Sequence, residues 1–240
     1  MDRVRLGMLT PSSNTVLEPV TTAMLAEVPE ASAHFGRFRV TEIRLSQGSD
    51  SQFDMAPMLE AASLLADAKV DVIAWNGTSS AWLGFARDEE LCRRIEATTG
   101  AKATSSVLAL NEILAVRGAR SFGLVTPYLA DVQARIVESY RGSGLDCGIE
   151  RHFDDPGNFS FALHAAARIE QAIREVAAEG AKTIAIVCTN LAGAPLVDRL
   201  ERELDVLILD SISVVVWKSL KLAGVDPKRI KSWGRLFCEG

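Results

Sequence analysis

Apolar positions along the chain fall into two alternating rhythms. Short runs dense in Val, Ile, Leu and Phe read as strands at 4–9 (VRLGML), 35–43 (FGRFRVTEI), 70–75 (VDVIAW), 121–126 (SFGLVT), 145–153 (LDCGIERHF), 182–188 (KTIAIVC) and 205–210 (DVLILD). Longer stretches between them carry apolar residues at helical spacing. The segment 56–68 sets Met58, Leu59, Ala62, Leu65 and Ala66 on one face, and 164–180 closes on Gly180, a common helix stop. Strands apolar on both faces, alternating with helices, predict an α/β fold whose parallel β-sheets are flanked by helices.

The two halves of the chain repeat each other. RLGMLTPSSN (5–14) matches SFGLVTPYLA (121–130), and VDVIAWNGTSS (70–80) matches AKTIAIVCTNL (181–191). Gly7 lies 70 residues before Gly77, and Gly123 lies 65 before Cys188, so order and spacing agree. This predicts two similar lobes related by a pseudo-two-fold: residues 1–104 with 211–240, and residues 105–210. Two unrelated α/β units sharing generic strand ends remain the competing reading at this point. In open parallel sheets ligands bind beyond the carboxyl ends of the strands. The segments TPSSN, NGTSS, TPYLA and CTNLAG would then surround a single cleft between the lobes.

Those segments are uncharged and rich in hydroxyl and amide groups: Ser12, Ser13, Asn14, Asn76, Thr78, Ser79, Ser80, Tyr128, Thr189 and Asn190, together with Cys188. With the free N–H groups of helix starts, such a set suits a carboxylate or a developing oxyanion. Ser, Thr and Asn also cap helices for their own reasons; Thr15 and Glu18 are spaced as a capping box. Free cysteine commonly only packs. Cys188 stands apart because it ends a strand, precedes a Thr-Asn pair and takes the place of Gly77 in the other half, whereas Cys92 sits in a charged amphipathic stretch and reads as structural.

Composition narrows the partners. A net charge of −5 over 240 residues, with 26 Lys and Arg against 31 Asp and Glu, gives no basic face for nucleic acid. No stretch approaches a membrane span, and the first residues lack a signal-peptide core. The four cysteines are far apart and form no CxxC pair, so free thiols in a cytoplasmic protein are expected. His34, His152 and His164 show no ligand spacing, so no metal is expected. No phosphate-binding glycine loop and no serine nucleophile elbow occur, which leaves chemistry without a cofactor.

The ordered set GMLTPSSNTVLEP, NGTSS, TPYLADV, CTNLAG and the closing GRLF (234–237) resembles the aspartate/glutamate racemase superfamily, in its maleate isomerase and arylmalonate decarboxylase branch. The resemblance spans nearly the whole chain. It implies two α/β lobes with the active site between them and no metal or organic cofactor. Two-thiol members carry one cysteine per lobe; here the second is Cys188 and the first falls on Gly77. Arylmalonate decarboxylases share that glycine, and Thr78, Ser79, Tyr128 and Cys188 match their carboxylate-holding and proton-delivering groups. The resemblance also places Asn14 where maleate isomerases bind a substrate carboxylate; Ser13, Gly77, Thr189 and Asn190, from the same strand-end segments, are the further candidates for substrate binding.

The leading expectation is therefore a cofactor-independent lyase acting next to a carboxylate of a small dicarboxylic or malonate-like acid, with Cys188 as proton donor. A maleate cis-trans isomerase using Cys188, a small-acid binding protein that has lost catalysis, and a one-base racemase are the alternatives. A homo-oligomer stays open.

Overall fold

The computed structural model describes residues 3–41 and 54–239. Elements follow the chain as β1 (Val4–Pro11), α1 (Leu17–Leu25), β2 (Ala31–Phe38), α2 (Met55–Asp67), β3 (Val72–Trp75), α3 (Ser80–Leu83), α4 (Ala86–Thr99), β4 (Lys102–Ser105), α5 (Ser106–Val116), β5 (Gly123–Thr126), α6 (Ala130–Gly142), β6 (Glu150–His152), α7 (Ala166–Ala178), β7 (Thr183–Ile186), α8 (Ala194–Leu204), β8 (Leu207–Asp210), α9 (Ser211–Leu222) and α10 (Arg235–Glu239).

Two four-stranded parallel sheets form, in the orders β2-β1-β3-β4 and β6-β5-β7-β8. Each half thus uses the same strand order, as a duplicated unit requires. The central strands β3 and β5 are buried at every position, because helices cover both faces and no residue of these strands needs to meet water. Helix α9 packs against β3, β4 and β8 and against α1 and α5, tying the halves together. Its apolar residues run right round its circumference, from Ile212 through Val214, Val215, Val216 and Trp217 to Leu220, as a helix enclosed by protein demands.

Register sets the site. β1 pairs with β3 as far as Leu9↔Trp75, and Asn76 N–H continues the ladder to Leu9 C=O at 3.0 Å. In the other half β5 pairs with β7 as far as Val125↔Ile186, and Val187 N–H continues to Val125 C=O at 3.0 Å. The next residues are Gly77 and Cys188, so the two occupy equivalent places one step past the sheet edge.

Several elements differ from the sequence reading. The second strand is Ala31–Phe38, earlier than 35–43, because hydrogen bonding to β1 begins at Val4↔Ala31; residues 42–43 of that expectation lie outside the described residues. The 145–153 strand shrinks to Glu150–His152 plus an isolated bridge between Ser121 and Asp146. β4 was not expected: its residues, Lys-Ala-Thr-Ser, carry little apolar signal, and pairing with β3 makes them a strand. The Thr15–Glu18 capping box does not form. Asn14 Oδ1 accepts from Val16 N–H at 3.0 Å and Leu17 N–H at 2.9 Å, while Glu18 turns out to bridge Arg37 at 2.6 Å.

Candidate active site

The carboxyl ends of the two sheets face each other across a pocket of about 290 Å³. Its polar lining comes from Thr78, Tyr128, Asn158, Cys188 and Thr189; its apolar lining comes from Pro11, Val40, Trp75 and Trp82, with Gly77 between. Both halves contribute, as the repeat predicts.

Thr78 follows β3 and Tyr128 follows β5. Their hydroxyls meet at 2.6 Å, and either can donate. Both residues are buried, and Trp82 and Phe161 pack edge-on to the Tyr128 ring at 5.2 and 5.4 Å, which fixes its direction. The backbone behind Tyr128 is held as well: Asp154 N–H reaches Tyr128 C=O at 3.2 Å, and Asp155 N–H reaches Pro127 C=O at 3.0 Å. Burial raises the Tyr128 hydroxyl well above its usual range, so it is a neutral donor at physiological pH.

Cys188 is 3% exposed and lines the same pocket. Burial pushes its thiol up to about 12, with the Asp210 carboxylate adding to the rise. The Asn190 N–H, 3.4 Å from the sulfur, and the Tyr128 hydroxyl pull the other way without winning. The sulfur is therefore a protonated thiol at neutral pH, beside two donors that would stabilise it as a thiolate once its proton has gone.

The remaining residues singled out in the sequence form the seam between halves. Asn14 Nδ2 donates to Thr189 Oγ1 at 3.1 Å, and Thr189 Oγ1 donates to Asn76 C=O at 2.8 Å. Asn190 Oδ1 accepts from Thr15 N–H at 2.9 Å and Val16 N–H at 3.3 Å, and its Nδ2 donates to Asn158 C=O at 2.5 Å. Ser13 Oγ donates to Val40 C=O at 2.8 Å and accepts from Asn158 Nδ2 at 2.8 Å. The side chains of Asn14, Ser13 and Asn190 are thus engaged inside the protein, behind the pocket wall. From the TPSSN segment it is Pro11, not the hydroxyls, that lines the pocket. Ser79 lies next to Thr78 but lines a second, smaller pocket with Trp75, Arg87 and Asp88.

Asn158 was missed. It sits in a Pro-Gly-Asn loop with no periodicity, and only its long-range bonds to Ser13 and Asn190 bring it to the wall. Trp75 and Val40 entered the sequence reading only as strand residues and Trp82 was not singled out; nothing in their local sequence tells a pocket wall from a core face. Among the described residues no group of three or more His, Cys, Asp or Glu could hold a metal ion, and no helix is long and apolar enough to cross a membrane.

Comparison with known proteins follows the same lines. The family model for arylmalonate decarboxylase matches residues 7–237. A maleate isomerase of Pseudomonas putida is 26% identical over 239 residues, covering 93% of each chain. An arylmalonate decarboxylase of Bordetella bronchiseptica is 24% identical, covering 98% of this chain and 96% of its own. The solved structure of a Nocardia farcinica maleate cis-trans isomerase variant, holding a covalently bound succinylcysteine intermediate, aligns with a TM-score of 0.90 at 22% identity, covering 99% of both chains.

Proposed function

The chain belongs to the arylmalonate decarboxylase family, and from that premise we infer that it is a cofactor-independent decarboxylase of small malonate-type diacids, with Cys188 as the proton donor. The observation that carries this reading is the juxtaposition of one protonated thiol and the Thr78–Tyr128 hydroxyl pair in one pocket.

The hydroxyls of Thr78 and Tyr128, with N–H groups of the turn from 77 to 80, hold one carboxylate of the substrate. The other carboxylate lies toward Pro11, Val40, Trp75 and Trp82, where little hydrogen bonding compensates for lost water. Its C–C bond breaks and carbon dioxide leaves. The electron pair moves onto the retained carboxylate as an enediolate, whose growing charge the same hydroxyls stabilise. Cys188 S–H then delivers its proton to the α-carbon. The thiolate left behind is held by Asn190 N–H and Tyr128 O–H and regains a proton from solvent. One dicarboxylate dianion and one proton give one monocarboxylate anion and carbon dioxide.

Internal engagement of Ser13 and Asn14 supports decarboxylation over simple diacid binding, because the departing carboxylate is not solvated by that segment. Asn14, Thr189 and Asn190 act here as positioning residues that lock Thr78 and Cys188 across the seam. The two lobes, 1–104 with 211–240 and 105–210, each supply one side of the chemistry.

A second reading, cis-trans isomerisation by addition of Cys188 to a double bond, draws support from the maleate isomerase relatives and from the Cys-Thr-Asn run. It calls for a thiolate, which burial disfavours. The decisive assay supplies methylmalonate, phenylmalonate and maleate to the purified protein. Carbon dioxide from a malonate, lost on Cys188→Ser replacement, supports the decarboxylase. Fumarate from maleate overturns it in favour of the isomerase, and binding of these acids without turnover leaves a small-acid binding protein.

A further inference from the structure

Gly77 follows β3 at the place Cys188 takes after β7 in the other half, and the structure gives a physical reason for the glycine. A Cβ built on Gly77 would lie 1.9 Å from Cζ2 of Trp75 and 2.4 Å from its Cε2 and Cη2. No side chain fits there while the indole keeps its place. The indole is not free to swing away: Trp75 is 1% exposed, ends β3 in register with Leu9 and Ser105, and packs against Phe38 with ring centroids 5.1 Å apart.

Trp75 also lines two adjoining pockets. One is the catalytic pocket of about 290 Å³; the other, of about 230 Å³, is formed with Met55, Met58, Ser79, Asp88 and Leu91. The space in the first that is open to a water-sized sphere is only about 20 Å³, so it is tight for a ligand. The second, open to a water-sized sphere over only about 10 Å³, has Met55, Met58 and Leu91 on one side and Arg87 and Asp88 on the other, so with the indole in place a hydrocarbon ring has no room there.

We propose that Trp75 is the specificity-determining wall of this site: it limits the substrate to diacids with a small α-substituent, excluding aryl groups, and it restricts position 77 to glycine, so that the site holds a single thiol. The size limit rests on reading the pocket as a diacid site; the steric claim about position 77 does not.

Two measurements separate them. In thermal unfolding, Gly77→Ala is expected to lower Tm by about 2–12 °C in the native background, the usual range for overpacking a core in a chain of this size. In a Trp75→Phe or Trp75→Leu background, which lacks the clashing atoms, the same change should lower Tm far less. Equal losses in all backgrounds would overturn the steric claim. In calorimetry, the ratio of phenylmalonate to malonate affinity is expected to rise about tenfold or more on Trp75→Leu, as a phenyl group gains a place to bury. An unchanged ratio with malonate bound overturns the size limit. Binding of neither acid by either protein removes the diacid reading and the size limit together, while the unfolding series still decides the clash. Trp75→Phe serves in both arms if the leucine variant does not fold.

Discussion

The hydroxyls of Thr78 and Tyr128, which come from opposite halves of a duplicated fold, lie 2.6 Å apart, and the thiol of Cys188 shares their pocket. With Thr78 donating to Tyr128, the tyrosine proton is free to point at the sulfur or at a substrate oxygen. A donor chain aimed at one point is costly to maintain in a buried site unless it is satisfied there.

Replacement of Cys188 by Ser keeps the shape of the pocket but puts a far weaker acid in place of the thiol. Carbon dioxide release from a malonate should fall by about 10²–10⁴, the usual weight of a positioned proton donor. Circular dichroism and Tm should stay close to the parent. Undiminished turnover would remove Cys188 from the chemistry.

Tyr128→Phe removes one donor from the developing enediolate and keeps the ring packed against Trp82 and Phe161. The kcat should drop by about 10²–10³, with a smaller change in KM, because the interaction strengthens as charge develops. Steady-state kinetics on the same malonate provide the check; a loss confined to KM would mean that Tyr128 only binds.

Thiol labelling should be uneven. The Cys188 thiol is pushed up to about 12 by burial, so it stays protonated from pH 6 to 9 and iodoacetamide should reach it slowly, while exposed Cys238 reacts first. Mass spectrometry of a pH 8 time course tests this. Fast alkylation of Cys188 would point to a thiolate and to the isomerase reading. For the same reason, no loss of decarboxylation through thiol ionisation is expected over that pH range.

Asp210 caps α9 through its Oδ1, with Ile212 N–H at 2.8 Å, while among the described residues its buried Oδ2 has no side-chain or backbone partner at hydrogen-bonding geometry. Burial raises its pKa from 3.8 to about 7. The folded chain therefore binds this proton more tightly than the unfolded chain, so stability from this group is full below pH about 4 and is lost as pH rises to about 7. Asp210→Asn keeps the cap acceptor and removes the charge. The variant should be more stable than the parent at pH 8, on the order of a few kcal/mol, with the gap closing toward pH 4. Urea unfolding at both pH values measures it; a constant difference would contradict the sign.

Asn190→Ala strips three bonds from the seam: Oδ1 to Thr15 and Val16 N–H, and Nδ2 to Asn158 C=O. Val16 N–H keeps Asn14 Oδ1, but Thr15 N–H and Asn158 C=O lose these partners, at about 1–3 kcal/mol each. Tm should fall by several degrees and kcat should fall with it, because the Cys188 loop keeps only the Asn14–Thr189–Asn76 tie to the other half. Unaltered Tm would show that water or rearrangement satisfies these groups.

By itself the chain determined its class. Alternating strand and helix periods, the matched pairs around Gly7 and Gly123 and around Gly77 and Cys188, and the clustering of uncharged polar residues at four strand ends were all legible, because burial on both faces of a parallel strand and the turn chemistry at its end are local demands. Tertiary structure decided what those polar residues face. Asn14, Ser13 and Asn190 look like Thr78 and Tyr128 in sequence, yet the first three turn into the seam and the last two into the pocket. Asn158 and Trp75 became part of the wall through contacts made across more than 30 residues, such as Asn158 with Ser13 and Trp75 with Phe38. The direction of a side chain at a strand end depends on which partner satisfies it first. That is settled only when the two sheets close on each other.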